Sequence, residues 1–259
     1  MSDTPIPAAT LILLRDEPQF EALMIARALD ASFAGGALVF PGGRVDPGDA
    51  NPAWAEHSAG LSLAPALAAA QVAAIREAFE EAGVLLARGA NGAMLGRDEA
   101  AALAPWRANV ERDDALFLEV IRRHGLSLAA DALVLFAHWI APPGLHRRFD
   151  TLFFAAAFPQ GQDILEDGDE ATEAVWISPR AATAARASGA RKIIFPTARN
   201  LDLLGVSDST AAVLDFARRR TIRPVVPVAV KRGGGMVLTI PDDLGYPVTE
   251  EDFETAIRN

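Results

Sequence analysis

The sequence predicts a layered α/β (α+β) fold, and three observations predict it. Short aliphatic, β-branched runs alternate with longer runs of helical periodicity. Clusters of Gly, Pro and Asp punctuate them. Hydrophobic residues make up 51% of the 259 residues and charged residues 22%, enough apolar material for one large domain, or a core domain with additions.

Taken in order, Thr10 to Leu14 and Glu21 to Ala26 read as two strands joined by the polar turn Arg15-Asp16-Glu17-Pro18. Ala37 to Phe40 reads as a short strand that stops at Pro41-Gly42-Gly43. Arg44 to about Pro65 is an irregular excursion with a short helical turn near Trp54. Ala66 to Ala82 has a helical pattern, with Gly83 placed to cap its C-terminus, and Val84 to Leu86 begins the next element. Asp98 to Leu103 and Asp113 to His124 carry helix-start signals and form an alpha-rich insertion. Strands resume at Leu133–Ile140, Thr151–Ala157 and Ala174–Ile177. Ser178-Pro179 opens an Ala-rich helix to about Ser188, and helices follow over Pro196–Leu204 and Ser209–Arg219. Pro224–Val230 and Met236–Ile240 flank Gly233-Gly234-Gly235 as a terminal hairpin. The expected organisation is a single domain, 1–259, with insertions at about 50–68 and 93–130 and a C-terminal extension from about 205.

Composition removes several chemistries. A formal net charge of −10 disfavours long nucleic acids, because nothing neutralises a phosphate backbone. A small anionic substrate fits if a bound cation supplies positive charge locally. Without cysteine there are no disulfides, thiolate nucleophiles or Cys-based zinc sites. The run Ala8 to Leu14 ends at Arg15-Asp16 and reads as a strand rather than a signal peptide, and no segment is apolar for the ~20 residues that span a bilayer. Ile257-Arg258-Asn259 does not read as a peroxisomal or retention signal. The expected compartment is the cytoplasm, with no membrane partner.

The informative stretch is Ala74-Ile75-Arg76-Glu77-Ala78-Phe79-Glu80-Glu81-Ala82-Gly83-Val84. At about 100° per residue, Glu77, Glu80 and Glu81 share an arc of about 100°, with Ile75, Phe79 and Ala82 opposite. Like charges at these spacings repel, and the C-terminal end of the helix dipole disfavours anions. One arginine, Arg76, does not offset three carboxylates, whereas a divalent cation would. All-oxygen ligation selects Mg2+ or Mn2+ rather than zinc. A solvated acidic helix face carries about equal weight on these residues alone.

Phe40-Pro41-Gly42-Gly43 upstream, combined with Arg-Glu-x-x-Glu-Glu-x-Gly, resembles the Nudix box, G-x5-E-x7-R-E-U-x-E-E-x-G-U. Gly43 is followed after five residues by Asp49, in place of Glu, and Arg76, Glu77, Glu80, Glu81, Gly83 and Val84 match the second half. Ala78 stands at the bulky aliphatic position. Asp49 and Arg76 are separated by 26 residues where the pattern has seven, which is 19 more. That lengthening costs on the order of 1 kcal/mol. Val39–Asp46 and Ala74–Leu86 are similar to the Nudix branch that includes the peroxisomal coenzyme A diphosphatase, whose members carry an insertion at this point. Phe136–Ile140, Arg148–Phe154 and Phe195–Leu201 resemble later landmarks of that branch.

The resemblance implies a Nudix-type α/β/α sandwich with a mixed sheet, in which Glu77, Glu80, Glu81 and the Gly43 carbonyl hold Mg2+ or Mn2+ against a diphosphate. It implies metal-dependent hydrolysis of a small-molecule nucleotide diphosphate derivative, with coenzyme A or an acyl-CoA favoured. NADH, ADP-ribose or another dinucleotide is the alternative, and an inactive Nudix ligand-sensing domain is the alternative of another class. Glu77 is the first choice of base, oriented by Arg76. Glu170 and Glu173 are second candidates for ligand or base, weighed equally against an ordinary acidic loop. Arg27, Arg44, Arg147 and Arg148 are phosphate-contact candidates, Arg148 foremost. The stretch Ala26–Gly36 fits the coenzyme A signature loosely. His57, His124, His138 and His146 lack metal-ligand spacing, and Trp139 and Trp176 read as core. Asp150 reads as a turn or ion-pair residue. Two readings of the helical insertion stay open: a cover over the pocket, or the contact of a homodimer.

Overall fold

The computed structural model describes residues 4–28, 34–144, 147–165 and 171–258. β1 (Ile6–Arg15) and β2 (Glu21–Arg27) form the antiparallel pair expected around the polar turn. β3 (Leu38–Val39) pairs with β2, and β4 (Gly42–Arg44) crosses to β1, setting Gly43 opposite Ala9 and Gly42 opposite Thr10. Two 3-10 turns, Pro47–Ala50 and Pro52–Glu56, and β5 (Ser58–Ala59) lead to α1 (Pro65–Ala82). This helix starts on a proline, whose missing N–H is no loss there, and Gly83 ends it in the left-handed conformation at φ +69.

The helical insertion is β6 (Ala87–Arg88), α2 (Arg97–Ala101), α3 (Arg107–Arg112), α4 (Ala115–Arg123) and β7 (Ser127–Ala129). The chain then returns to the main sheet through β8 (Val134–Ile140), β9 (Phe149–Ala157) and β10 (Ala171–Ile177). It continues as α5 (Pro179–Ala187), α6 (Phe195–Leu204), α7 (Thr210–Arg219), β11 (Pro224–Val225), β12 (Val228–Arg232), β13 (Gly235–Thr239), β14 (Glu250–Asp252) and α8 (Phe253–Arg258).

The main sheet runs β10-β2-β1-β9-β8-β11. It is mixed, because β1 lies parallel to β9 and β8 to β11. Strand alternation sorts its side chains into two cores. Ala9, Leu11, Leu13 and Leu23 face Ala74, Ile75, Ala78 and Phe79 of α1 and the buried residues of the insertion. Ile12, Leu14 and Met24 face Ala182, Phe195, Leu201 and Val213 of α5, α6 and α7. The expected α/β/α sandwich is thus present, with α1 on one face of the sheet and α5–α7 on the other.

Some expectations needed correction. Pro224–Val230 is not one strand. Pro227, which cannot donate to a ladder, separates β11 on the main sheet from β12 of a separate sheet, β12-β13-β14. Val84–Leu86 is buried and lies outside any strand. The small sheet β5-β7-β6, α3, β14 and α8 rest on tertiary pairing that the local pattern does not signal. Among the described residues no helix is long and apolar enough to cross a membrane.

Candidate active site

The C-terminal half of α1 is buried on every side. Glu77 and Glu80 are each 8% exposed and Glu81 3%. A solvated acidic face is therefore ruled out. Burial of carboxylates is costly unless each is paired or coordinates a cation, so their partners decide what the site is.

Arg76 is one such partner. Its Nε and Nη2 donate to the two oxygens of Asp49, each at 2.9 Å. Nη1 meets Glu80 at 3.1 and 3.2 Å and lies 2.9 Å from Glu77 Oε1. Nη2 also donates to the Arg44 carbonyl at 2.9 Å. The guanidinium thereby spans the long gap in the motif and joins its two halves. Burial lowers the Arg76 pKa, but the hydrogen bond to Asp49 and the surrounding carboxylates outweigh it, and the group stays charged. At 2% exposure, with all its nitrogens engaged on protein groups, Arg76 positions the carboxylates rather than meeting substrate.

The glycines complete the arrangement. Gly42 N–H donates to Glu81 Oε2 at 2.8 Å. A Cβ on Gly43 would lie 2.5–2.6 Å from the carboxylate of Glu77, so any side chain there would displace that carboxylate from its place. Arg27, at the end of β2, lies 3.4 Å from Glu81 Oε1.

Four buried carboxylates (Asp49, Glu77, Glu80 and Glu81) thus face two guanidiniums, Arg76 and Arg27. Burial pushes Glu77 up to about 8, with Glu80 and Asp49 adding to the rise and Arg76 opposing it. Burial likewise pushes Glu80 up to about 7. Asp49 is also raised by burial, against the pull of Arg76. Such an excess of negative charge, on oxygen donors only, suits a hard divalent cation in kind. In number the match is partial: among the described residues no group of three or more Asp, Glu or His side chains is arranged to hold a metal. Glu77 and Glu81 turn to the glycines, while Glu80 turns to Arg76.

The family model of the NUDT19 Nudix domain matches residues 56–197, more than half of the chain. The chain belongs to that Nudix family. It is a Nudix hydrolase, as expected, and α1 is its Nudix helix. It is 28% identical to the acyl-coenzyme A diphosphatase NUDT19 of Homo sapiens, over 90% of this chain and 74% of that protein. To the Xenopus laevis protein of the same name it is 25% identical, over 88% and 72%. A solved NUDIX hydrolase from Alicyclobacillus acidocaldarius superposes with a TM-score of 0.67 at 29% identity, over 82% of this chain and 97% of that one.

The other expected site residues scatter around the Nudix helix. Glu173 is not beside it. Its register partner is Ala26, and the alternation of β10 sets it with Val175 on the face opposite α1. There Arg191 binds it at 2.6 and 2.8 Å and holds its carboxyl below the usual range, which makes it a weak base. Glu170 lies outside the described residues, as do His146 and residues 29–33 of the coenzyme A signature. Arg44 is largely exposed, 3.9 Å from Asp46. Arg148 Nε donates to the Ala141 carbonyl at 3.0 Å, across the turn between β8 and β9. Asp150 has a local side-chain partner, its Oδ1 lying 2.5 Å from His138 Nε2. Trp139 is in the core and Trp176 packs at its edge.

Two participants escaped the sequence reading. Asp46 lies 3.4 Å from Arg76 and caps the turn that holds Asp49. Its signal was legible in Asp46-Pro47-Gly48-Asp49, an acidic cap, a first-turn proline and an acid three residues on. Arg107 donates to the Glu80 carbonyl. No local pattern marks a contact between residues so far apart in sequence.

Proposed function

We propose that this chain hydrolyses the diphosphate linkage of coenzyme A or an acyl-CoA, releasing a phosphopantetheine fragment and adenosine 3′,5′-bisphosphate, with Mg2+ or Mn2+ as cofactor. The observation that carries the cofactor is the buried excess of carboxylate at Gly42–Gly43. The observation that supports the substrate is similarity, across most of the chain, to proteins named acyl-coenzyme A diphosphatase.

Glu77 and Glu81, with the Gly43 carbonyl, would hold the cation, and Glu80, here held by Arg76, would be the further ligand. A bound divalent cation supplies Lewis acidity to the phosphate oxygens and lowers the pKa of an attacking water. Arg27, beside Glu81 at the mouth of the glycine turn, is proposed to bind a phosphate oxygen. A carboxylate not saturated by metal, with one oxygen still open, would take the proton from water. Glu77 suits this role because Arg76 holds it and because, in the metal-free protein, its pKa lies near neutrality.

The test is a panel of coenzyme A, acetyl-CoA, NADH and ADP-ribose, each with Mg2+ or Mn2+, with products identified by mass. Coenzyme A and acetyl-CoA are expected to be cleaved fastest, to the two named fragments. Faster cleavage of NADH or ADP-ribose would overturn the substrate, and no cleavage of any member would favour a ligand-sensing domain instead.

A further inference from the structure

The end of the Nudix helix presents a problem of backbone chemistry. The last carbonyls of any helix lack partners within it. Here Val84 N–H serves Ala78 at 3.2 Å, Gly83 N–H serves Phe79 at 3.0 Å, and Leu165 N–H serves Ala82 at 2.9 Å. The Glu80 carbonyl is served differently. Arg107, the first residue of α3, donates to it from Nε at 3.1 Å and from Nη2 at 2.7 Å. Arg107 is 9% exposed, and a Cβ on Gly83 would sit 3.4 Å from its Nη1.

The helical insertion that carries Arg107 is braced on both halves of the interrupted motif. Phe117 of α4 lies between Trp54 of the lengthened loop, at 5.4 Å, and Phe79 of the Nudix helix, at 6.1 Å. Asp114 accepts from the Gly48 N–H, one residue before Asp49. The guanidinium fork has fixed geometry, and two of its donors on one oxygen fix the orientation of that peptide. Its charge also offsets the negative end of the helix, where Glu80 and Glu81 sit.

We infer that Arg107 is a positioning residue for this reaction: by clamping the Glu80 carbonyl, the insertion sets the direction in which the Glu80 and Glu81 side chains leave the helix. This rests on the reading of those glutamates as cation ligands. It gives the insertion a role distinct from a pocket cover or a dimer contact.

The test compares Mn2+ affinity, followed by electron paramagnetic resonance, in the full-length wild type, Arg107→Met and Arg107→Lys, alongside steady-state kinetics on coenzyme A. Loss of an outer partner of this kind weakens metal binding by about tenfold or more. Arg107→Met is expected to bind Mn2+ more weakly by that factor. It should need correspondingly more Mg2+ for half-maximal rate, while KM for coenzyme A holds within about twofold. Arg107→Lys, which keeps the charge and one donor, should recover most of the loss. If Arg107→Met does not fold, Arg107→Gln carries the same test. A folded variant that melts earlier yet binds Mn2+ as the wild type does would overturn the inference and reduce Arg107 to a structural contact. A wild type that binds Mn2+ but cleaves no coenzyme A would refute the substrate, and the Mn2+ affinities would still decide the role of Arg107. A wild type that binds no Mn2+ would overturn both readings.

Discussion

Two clusters of charge lie on opposite faces of the main sheet, and they differ in balance. Behind the sheet, Arg186 binds Glu251 at 2.6 and 3.1 Å, and Arg199 lies 3.0 Å from Asp202 and 3.9 Å from Glu251. Two cations meet two anions, and the result ties β14 of the C-terminal extension to α5 and α6. In front of the sheet, Asp49, Glu77, Glu80 and Glu81 meet Arg76 and Arg27. A balanced buried network serves the fold, whereas a buried excess of one sign costs stability and persists where function requires it. The same chain contains both, so each is a control for the other.

The largest expected effects set the two apart most sharply. Glu77→Gln and Glu81→Gln should each lower kcat by about a hundredfold or more, with little change in melting temperature, because each removes one charge from a buried cluster in which four carboxylates share two guanidiniums. Glu251→Gln should do the reverse. It leaves Arg186 short of a partner and should cost about 2–4 kcal/mol in a denaturant titration, with kcat unchanged at low temperature. A Glu251 variant that loses activity while remaining stable would break the contrast.

The dependence of stability on pH is a smaller effect with a definite sign. Burial raises the folded-state pKa of Glu77 to about 8 and of Glu80 to about 7, above the ordinary carboxylate value that holds in the unfolded chain. Between about pH 5 and pH 8 the folded state then binds more protons than the unfolded one, so stability falls as pH rises. In EDTA the melting temperature should be higher at pH 5.5 than at pH 8, and Mg2+ should raise it more at pH 8. A flat profile in EDTA would show that the carboxylates in front of the sheet are already neutralised by the protein.

The smallest effects belong to residues the structure sets at the margin. Glu173→Gln should leave kcat and KM nearly unchanged, since that side chain faces Arg191 behind the sheet. Arg44→Ala should raise KM by at most about threefold, because a cation this exposed is screened by solvent. A loss of kcat in Glu173→Gln would show that Glu173 itself acts on the site from behind the sheet.

Much of this contrast was legible in the sequence, and what was not has a physical cause. Helical spacing alone placed Glu77, Glu80 and Glu81 on one arc, and Gly83 marked the left-handed cap. The two halves of the box meet across the long interruption, because Arg76 hydrogen-bonds Asp49. Burial of the acidic arc was invisible, since it depends on the insertion packing over α1. The face on which Glu173 lies is set by its register against β2, with an irregularity between Ala171 and Glu173. Arg107 and the short β5-β7-β6 sheet depend on contacts distant in sequence, which no window of residues contains. The ion cluster behind the sheet was missed for the same reason, since Glu251 comes from the last strand.

Calorimetric titration of Mg2+ into the metal-free protein at pH 7.5, in buffers of different ionisation enthalpy, bears most directly on the buried carboxylate excess. Glu77 and Glu80 carry protons part of the time at that pH, so a cation must displace them. The expected result is binding with net proton release, lost or strongly weakened in Glu81→Gln and retained in Glu251→Gln. No heat of binding in the wild type, or binding that Glu81→Gln leaves intact, would contradict it.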